Sequence, residues 1–166
     1  MRLTIKTNIA MRTLMCCALN PEIALRKADI AATCNVSENH LAQVISILNN
    51  KGFLRTLRGR NGGVTLGRAP QDIRVGEVFR LLEEGVPFVE CFDDDRNTCP
   101  LAEFCLLKVA LSSALEAFYA SLDNITIADL IESNTPLEHL LSFKNGMSQQ
   151  CTTGSPRVNA CMGSHC

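Results

Sequence analysis

Apolar residues cluster along the chain in blocks whose period changes near position 53. Residues 9–19, IAMRTLMCCAL, are apolar everywhere except Arg12 and Thr13, which predicts a buried first helix stopped at Asn20-Pro21. Inside such a helix Cys16 and Cys17 are expected to pack as small hydrophobes rather than act as ligands. A second helix fits residues 25–34, LRKADIAATC, and gives way to CNVS. Ser37 is then a natural N-cap for ENHLAQVISILNNKG, in which Leu41, Val44, Ile45 and Leu48 define one face and Gly52 supplies the stop. Two short helices joined by a tight turn predict a helix-turn-helix. Because the apolar face of the second must be buried, Ser37, Glu38, Asn39, His40 and Gln43 are left at its exposed N-terminal end, where they can donate to phosphates and read base edges.

After Gly52 the helical period is lost. FLRTLR and VTLG are strand-like runs around GRNGG, a loop whose glycines and Asn61 tolerate positive φ, so a β-hairpin is predicted. Directly after a helix-turn-helix, a hairpin is the wing of a winged helix, with Arg58 and Arg60 at its tip facing a minor groove or phosphates. A phosphate-cradling loop is excluded by the missing Gly-Lys-Ser/Thr. A helical stripe of Val75, Val78, Phe79 and Leu82 closes this unit near Gly85. Pro100 is then expected at the first turn of a long helix, with Cys99 at its boundary. Along that helix Leu101, Phe104, Leu107, Leu111, Leu115, Phe118 and Leu122 form one apolar seam. A 22-residue helix, about 33 Å long, is more than so small a domain can cover alone, and a two-fold dimer is the economical way to bury it. Short helices fit TIADLIES and PLEHLLSF. The expected fold is mainly α with a small β-hairpin: a winged helix-turn-helix domain over 1–85, a cysteine-rich loop over 86–99, a dimerisation helix and C-terminal helical segment over 100–143, and a flexible tail over 144–166.

Composition adds one asymmetry and one puzzle. The 166 residues carry a net charge of −1, but residues 1–90 hold 12 Lys+Arg against 8 Asp+Glu, and residues 91–166 hold 4 against 9. Lys51, Arg55, Arg58, Arg60 and Arg68 follow one another with no acid between positions 51 and 71, a local positive field suited to a polyanion. No signal-peptide pattern opens the chain and no apolar run of about 18 residues occurs. The expectation is a soluble cytoplasmic protein without a membrane partner. Nine cysteines in such a chain point to metal or redox chemistry rather than a disulfide framework. Three of them, Cys91, Cys99 and Cys105, lie in ECFDDDRNTCPLAEFC, with seven and five residues between them. Structural zinc needs a fourth ligand, a redox dithiol is poorly matched by the spacing, and a nucleophilic cysteine lacks a base constellation. Thiolates are the usual ligands of iron–sulfur clusters, and three of them suit a 4Fe-4S cluster with one iron left to a weaker ligand; a 2Fe-2S cluster or an apo form stay open beside it. Cys151, Cys161, His165 and Cys166 are spaced like no metal site.

The stretches MRLTIKTNIAMRTL, VSENHLAQVISILNNKGFLRTLRGRNGGVTLG, IRVGEVFRLLE and LDNITIADLI, with the RGRNGG wing and the three-cysteine loop, resemble the iron–sulfur winged-helix transcriptional regulators of bacteria, the group of RirA, NsrR and IscR. The similarity covers residues 1 to about 143. It implies a homodimeric regulator, usually a repressor, that places one winged helix on each half of a palindromic operator, with Cys91, Cys99 and Cys105 holding the cluster. Within the group the cysteine spacing looks most like the iron-responsive RirA type. Lys108 stands where the cluster-assembly type has a ligand histidine, and Asn8 stands where nitric-oxide sensors often carry an aspartate ligand. Asn8 therefore marks the region of a possible fourth ligand. Iron response is the expectation, with nitric-oxide sensing, and zinc or thiol-redox control, as alternatives.

Overall fold

The computed structural model describes residues 3–59, 62–83, 85, 87–93 and 95–143. Among them are seven α-helices and one two-stranded antiparallel sheet. The helices are α1 (Ile5–Ala18), α2 (Lys27–Thr33), α3 (Glu38–Asn50), α4 (Val75–Glu83), α5 (Leu106–Asp123), α6 (Ile127–Ile131) and α7 (Thr135–Leu141). The strands are β1 (Leu54–Leu57) and β2 (Gly63–Leu66), paired from Leu54↔Leu66 to Leu57↔Gly63.

α1 begins four residues before the apolar block, because Thr4 caps it by accepting from the Thr7 amide. The helix is central: it packs against α3, α4, α6 and β2. Cys16 and Cys17 are buried in it, as expected of core thiols. α2 and α3 are joined through Asn35 in the left-handed region (φ 51), which makes the turn tight. Ser37 caps α3, accepting from the His40 amide, and Leu41, Val44, Ile45 and Leu48 are its buried positions. Their burial contributes about 1.5–3 kcal/mol each. α3 ends through Lys51 to Gly52 (φ 77), as the left-handed stop requires. The hairpin is tied to the helix-turn-helix at two points. Val64 exchanges backbone hydrogen bonds with Leu25 at 2.8 and 3.0 Å. Asn49 Oδ1 accepts from the Thr56 amide at 3.1 Å. Gly63 is required there, since a Cβ would lie 2.6 Å from the Leu25 carbonyl oxygen.

The long helix starts later than the sequence pattern suggests. Residues 100–104 turn with bonds from Ala102 to Cys99 and from Phe104 to Leu101, and Cys105 is extended (ψ 104) and caps α5 with its sulfur. Pro100 therefore sits in a turn rather than at the first helical residue, and the helix has 18 residues, about 27 Å, instead of 22. None of its residues is fully buried. Along the seam, Leu111, Leu115, Phe118 and Leu122 are half-buried, the Phe118 ring 6.3 Å from that of Phe79 on α4. Leu101, Phe104 and Leu107 remain exposed, Phe104 at 88%.

Beyond α5 the chain returns to the N-terminal core. Backbone bonds join Val75 to Ile125 (2.8 Å) and Ile127 to Ile73 (2.9 Å), and Ile127 is fully buried. Thr126 and Asp129 form a capping box on α6. α7 is fastened by buried Asn20, whose Nδ2 donates to the Cys16 and Leu141 carbonyls, both at 2.8 Å, and whose Oδ1 accepts from the Phe143 amide at 2.7 Å. The expected tail, with Cys151, Cys161, His165 and Cys166, lies outside the described residues. Asn20→Ala leaves three backbone groups without this partner and is expected to lower the unfolding free energy by about 1–3 kcal/mol, with faster amide exchange over 135–143. Urea unfolding and hydrogen exchange measure both; unchanged exchange in α7 would refute this fastening.

Candidate nucleic-acid interface and cysteine segment

The N-terminal turn of α3 is the most polar exposed surface of the helix-turn-helix. Ser37, Glu38, Asn39, His40 and Gln43 are all exposed, Asn39 and Gln43 on the side away from Leu41, Val44, Ile45 and Leu48 and the others at the helix start. The Ser37 oxygen is committed to the cap at 3.3 Å, while its hydroxyl hydrogen remains able to donate to a phosphate. Lys27 reaches Glu38 at 3.5 Å, so the acid at the start of α3 is offset by a cation from α2. At the wing, Arg55 and Arg58 are exposed and take part in no ion pair among the described residues. Arg60 and Asn61 fall outside the described residues. Arg68 leaves the positive field: its guanidinium meets Glu77 at 3.0 Å, donates to the Lys51 carbonyl at 2.9 Å and stacks 4.3 Å over Phe53. It fastens the hairpin base to α4.

The described thiols divide into two populations. Cys16, Cys17 and Cys34 are buried. The Cys16 thiol is raised well above its ordinary pKa by its hydrogen bond to Cys34 and by burial, and burial pushes Cys17 up to about 12. Cys16 and Cys17 are thereby held neutral, whereas the hydrogen bond from Cys16, and the nearby Arg12 guanidinium, lower the Cys34 thiol against its burial. Cys91, Cys99 and Cys105 are half-exposed and lie on the segment between α4 and α5. Cys91 is in a single 3-10 turn (Glu90–Phe92), and the Cys105 sulfur accepts from the Lys108 amide at 3.4 Å. The segment is closed by side chains. Glu90 Oε1 accepts from the Thr98 amide at 2.9 Å and its hydroxyl at 2.6 Å, and these bonds hold the Glu90 carboxyl below its usual range. This clasp joins the residues immediately before Cys91 and Cys99. Asp93 Oδ1 accepts from the Asp95 and Arg96 amides, each at 3.2 Å, and Asn97 Oδ1 from the Cys99 amide at 3.0 Å. The acids of the DDD run thus include a turn-former in Asp93. The clasp and the buried anchor Asn20 were not anticipated from sequence; acid-to-threonine spacing across a loop was the available signal for the first.

Among the described residues, no three His, Cys, Asp or Glu side chains are gathered closely enough to hold a metal ion. Asn8 is exposed on α1. The donor chemistry of the segment nonetheless fits a thiolate-ligated cluster: three accessible thiols on one short, side-chain-closed stretch, distinct from the buried set. Metal sites of this kind commonly assemble only as the metal binds.

A helix-turn-helix with a tethered hairpin, polar at its recognition-helix start and cationic at its wing, defines a winged-helix DNA-binding regulator. The family profile Rrf2, described as an iron-dependent transcriptional regulator, matches residues 3–133, and the chain belongs to this family. It is a transcriptional regulator and not an enzyme. Curated relatives include the HTH-type transcriptional regulator NsrR of Geobacillus kaustophilus, 42% identical over 88% of this chain and 100% of that protein, and the NsrR of Bacillus subtilis, 40% identical over 87% and 99%. Among solved structures, T. potens IscR aligns with a TM-score of 0.64 at 26% identity, covering 79% of this chain and 86% of that one. The global cysteine regulator CymR of B. subtilis aligns at 0.60 and 29%, covering 79% and 96%. No helix among the described residues is long and apolar enough to cross a membrane.

Arg58→Ala is expected to weaken operator binding across sequences and to lower the slope of log affinity against log salt by about 0.9, as one phosphate contact is lost. Fluorescence titrations at several salt concentrations measure the slope; an unchanged slope would remove Arg58 from the interface.

Proposed function

We propose that this chain is a homodimeric operator-binding repressor, acting in the cytoplasm, whose DNA affinity is set by an iron–sulfur cluster on Cys91, Cys99 and Cys105. The observation that carries this reading is the separation of thiols: three lie half-exposed on one clasped segment leading into α5, while Cys16, Cys17 and Cys34 are consumed by the core. A 4Fe-4S cluster there would supply an exposed iron at which iron loss or nitric oxide binding registers. Asn8 marks the region from which a weak fourth ligand would come. Ser37, Asn39, His40 and Gln43 would meet the major groove, with Arg58 and Arg60 on the wing. The dimer reading is supported by the exposed apolar surface of Phe104, Leu106, Leu107 and Val109 at the start of α5.

Two observations bear on the signal. The cysteine spacing, through the resemblance to the RirA type, and Asn8 in place of an aspartate ligand favour iron limitation. The NsrR relatives, matched over essentially their whole length, favour nitric oxide. The test uses full-length protein purified without oxygen and a duplex selected by it from a randomised library. Expected are a brown protein with about four irons per monomer, lost on Cys91→Ala, Cys99→Ala or Cys105→Ala and retained on Cys151→Ala, and DNA affinity that changes when the cluster is perturbed. A change on chelation alone identifies iron as the signal; a change at one equivalent of a nitric-oxide donor, with slow response to chelator, identifies nitric oxide. A colourless protein that binds DNA regardless would remove the cluster mechanism and leave the winged helix.

A further inference from the structure

Among the described residues, α5 is charge-locked to the rest of the chain at one end only. At its last residue, the Asp123 carboxylate receives both terminal nitrogens of Arg80, at 2.7 and 2.8 Å, and the Asp123 carbonyl accepts from Arg74 Nη1 at 2.7 Å. The Arg80 guanidinium also lies 4.7 Å over the ring of Tyr119, one turn back along α5. Gly76 completes the joint. A Cβ there would overlap the Asp123 carboxylate and stand 3.0 Å from the Asp123 backbone nitrogen, so the close approach of α5 to the first turn of α4 depends on glycine. At the opposite end α5 springs directly from Cys105, and Leu106, Leu107 and Val109 are exposed.

The connectivity turns this joint into a linkage. The cysteine segment runs from the end of α4 to the start of α5, so α5 is a strut with thiols at one end and the lock at the other. Three residues beyond Arg80, the last residue of α4 is tied to the first turn of α1: Glu83 Oε1 accepts from the Thr4 amide and hydroxyl, both at 3.0 Å, and from the Thr7 hydroxyl. α1 in turn packs against α3. Among the described residues, Arg80–Asp123 is the one ion pair between α4 and α5. Apolar contacts between two helices can be re-made after a small slide, whereas a bidentate guanidinium–carboxylate pair fixes both distance and plane.

We propose that Asp123, clamped between Arg80 and Gly76, is the positioning residue through which the state of the Cys91–Cys105 segment reaches the recognition helix α3. This rests on the cluster-controlled reading above. The lock is half-exposed, so it adds little to stability, and its removal should leave the fold in place while the coupling is lost.

The test compares full-length wild type, Asp123→Ala and Gly76→Ala, each in cluster-loaded and iron-stripped form, on a duplex selected by the wild type from a randomised library. The quantity read is the ratio of loaded to stripped affinity, expected to differ from unity by about tenfold in the wild type, within the usual range of allosteric coupling. In both variants it is expected to move most of the way to unity, with iron content and helical circular dichroism matching the wild type. A merely structural role would weaken both forms alike and keep the ratio. An unchanged ratio in Asp123→Ala overturns the lock, whereas a wild-type ratio of unity overturns the cluster-controlled reading itself. Should Gly76→Ala fail to fold, Arg80→Lys keeps the charge but loses the bidentate plane, and the ratio must move toward unity there too.

Discussion

The burial of Leu41, Val44, Ile45 and Leu48 is the constraint on which the DNA-facing half depends. With one face of α3 fixed against the core formed with α1, its opposite face and first turn can hold only groups that tolerate water. Those groups, Asn39, His40 and Gln43, carry side chains able to exchange hydrogen bonds with base edges. The hairpin is placed by the same helix, through Asn49 at its C-terminal end, and by the segment before α2, through the Leu25–Val64 bridge. Recognition helix and wing are thereby set by one body rather than by two flexible attachments. Arg68 shows the division of labour among the cations: the one at the hairpin base is spent on Glu77 and Phe53, while Arg55 and Arg58 further along stay in solvent.

The helix-turn-helix and wing were legible because each is specified locally. Ser37 caps, the four apolar positions of α3 carry the period, Gly52 stops, and the glycine-rich loop turns. The start of α5 was not, because Pro100 is an ordinary first-turn residue and a cysteine is not an ordinary cap. The Cys105 sulfur nevertheless takes the Lys108 amide and shortens the helix. By its spacing the apolar seam is one surface, yet the fold divides it: its later residues, from Leu111 onward, are half-buried beside α4 and its earlier ones are left outside. Nor could a pattern of residues reveal Asn20 bonding to Leu141, 121 positions away, or Glu83 bonding to Thr4 and Thr7. Such contacts exist only once the helices have packed.

The cysteines were half legible for a related reason. Spacing alone set Cys91, Cys99 and Cys105 apart, and the periodicity of the first helix set Cys16 and Cys17 aside as core. The structure adds the electrostatic contrast. A thiol must ionise to bind iron, and burial with no compensating charge opposes this at Cys17, whereas the outer three remain in contact with solvent. The Glu90–Thr98 clasp supplies what spacing could not, a closed loop with Cys91 and Cys99, seven residues between them, next to its two ends.

A segment of this kind is useful to a regulator only if its rearrangement is not absorbed where it occurs. α5 buries no side chain fully, so left to apolar contacts it would be free to re-seat, and a change at Cys105 would end there. The constraints that oppose this are polar and few: Asp123, held by Arg74 just before α4 and by Arg80 in its last turn, and Glu83, three residues beyond Arg80, with the α1 cap. Both lie at helix ends, where a small rotation of one element produces the largest displacement of the next. α4 and α3 already share one core through α1, so polar joints are needed only where α5 meets that core, and on the proposed linkage they are what would make the distance between the thiols and the recognition helix mechanically short.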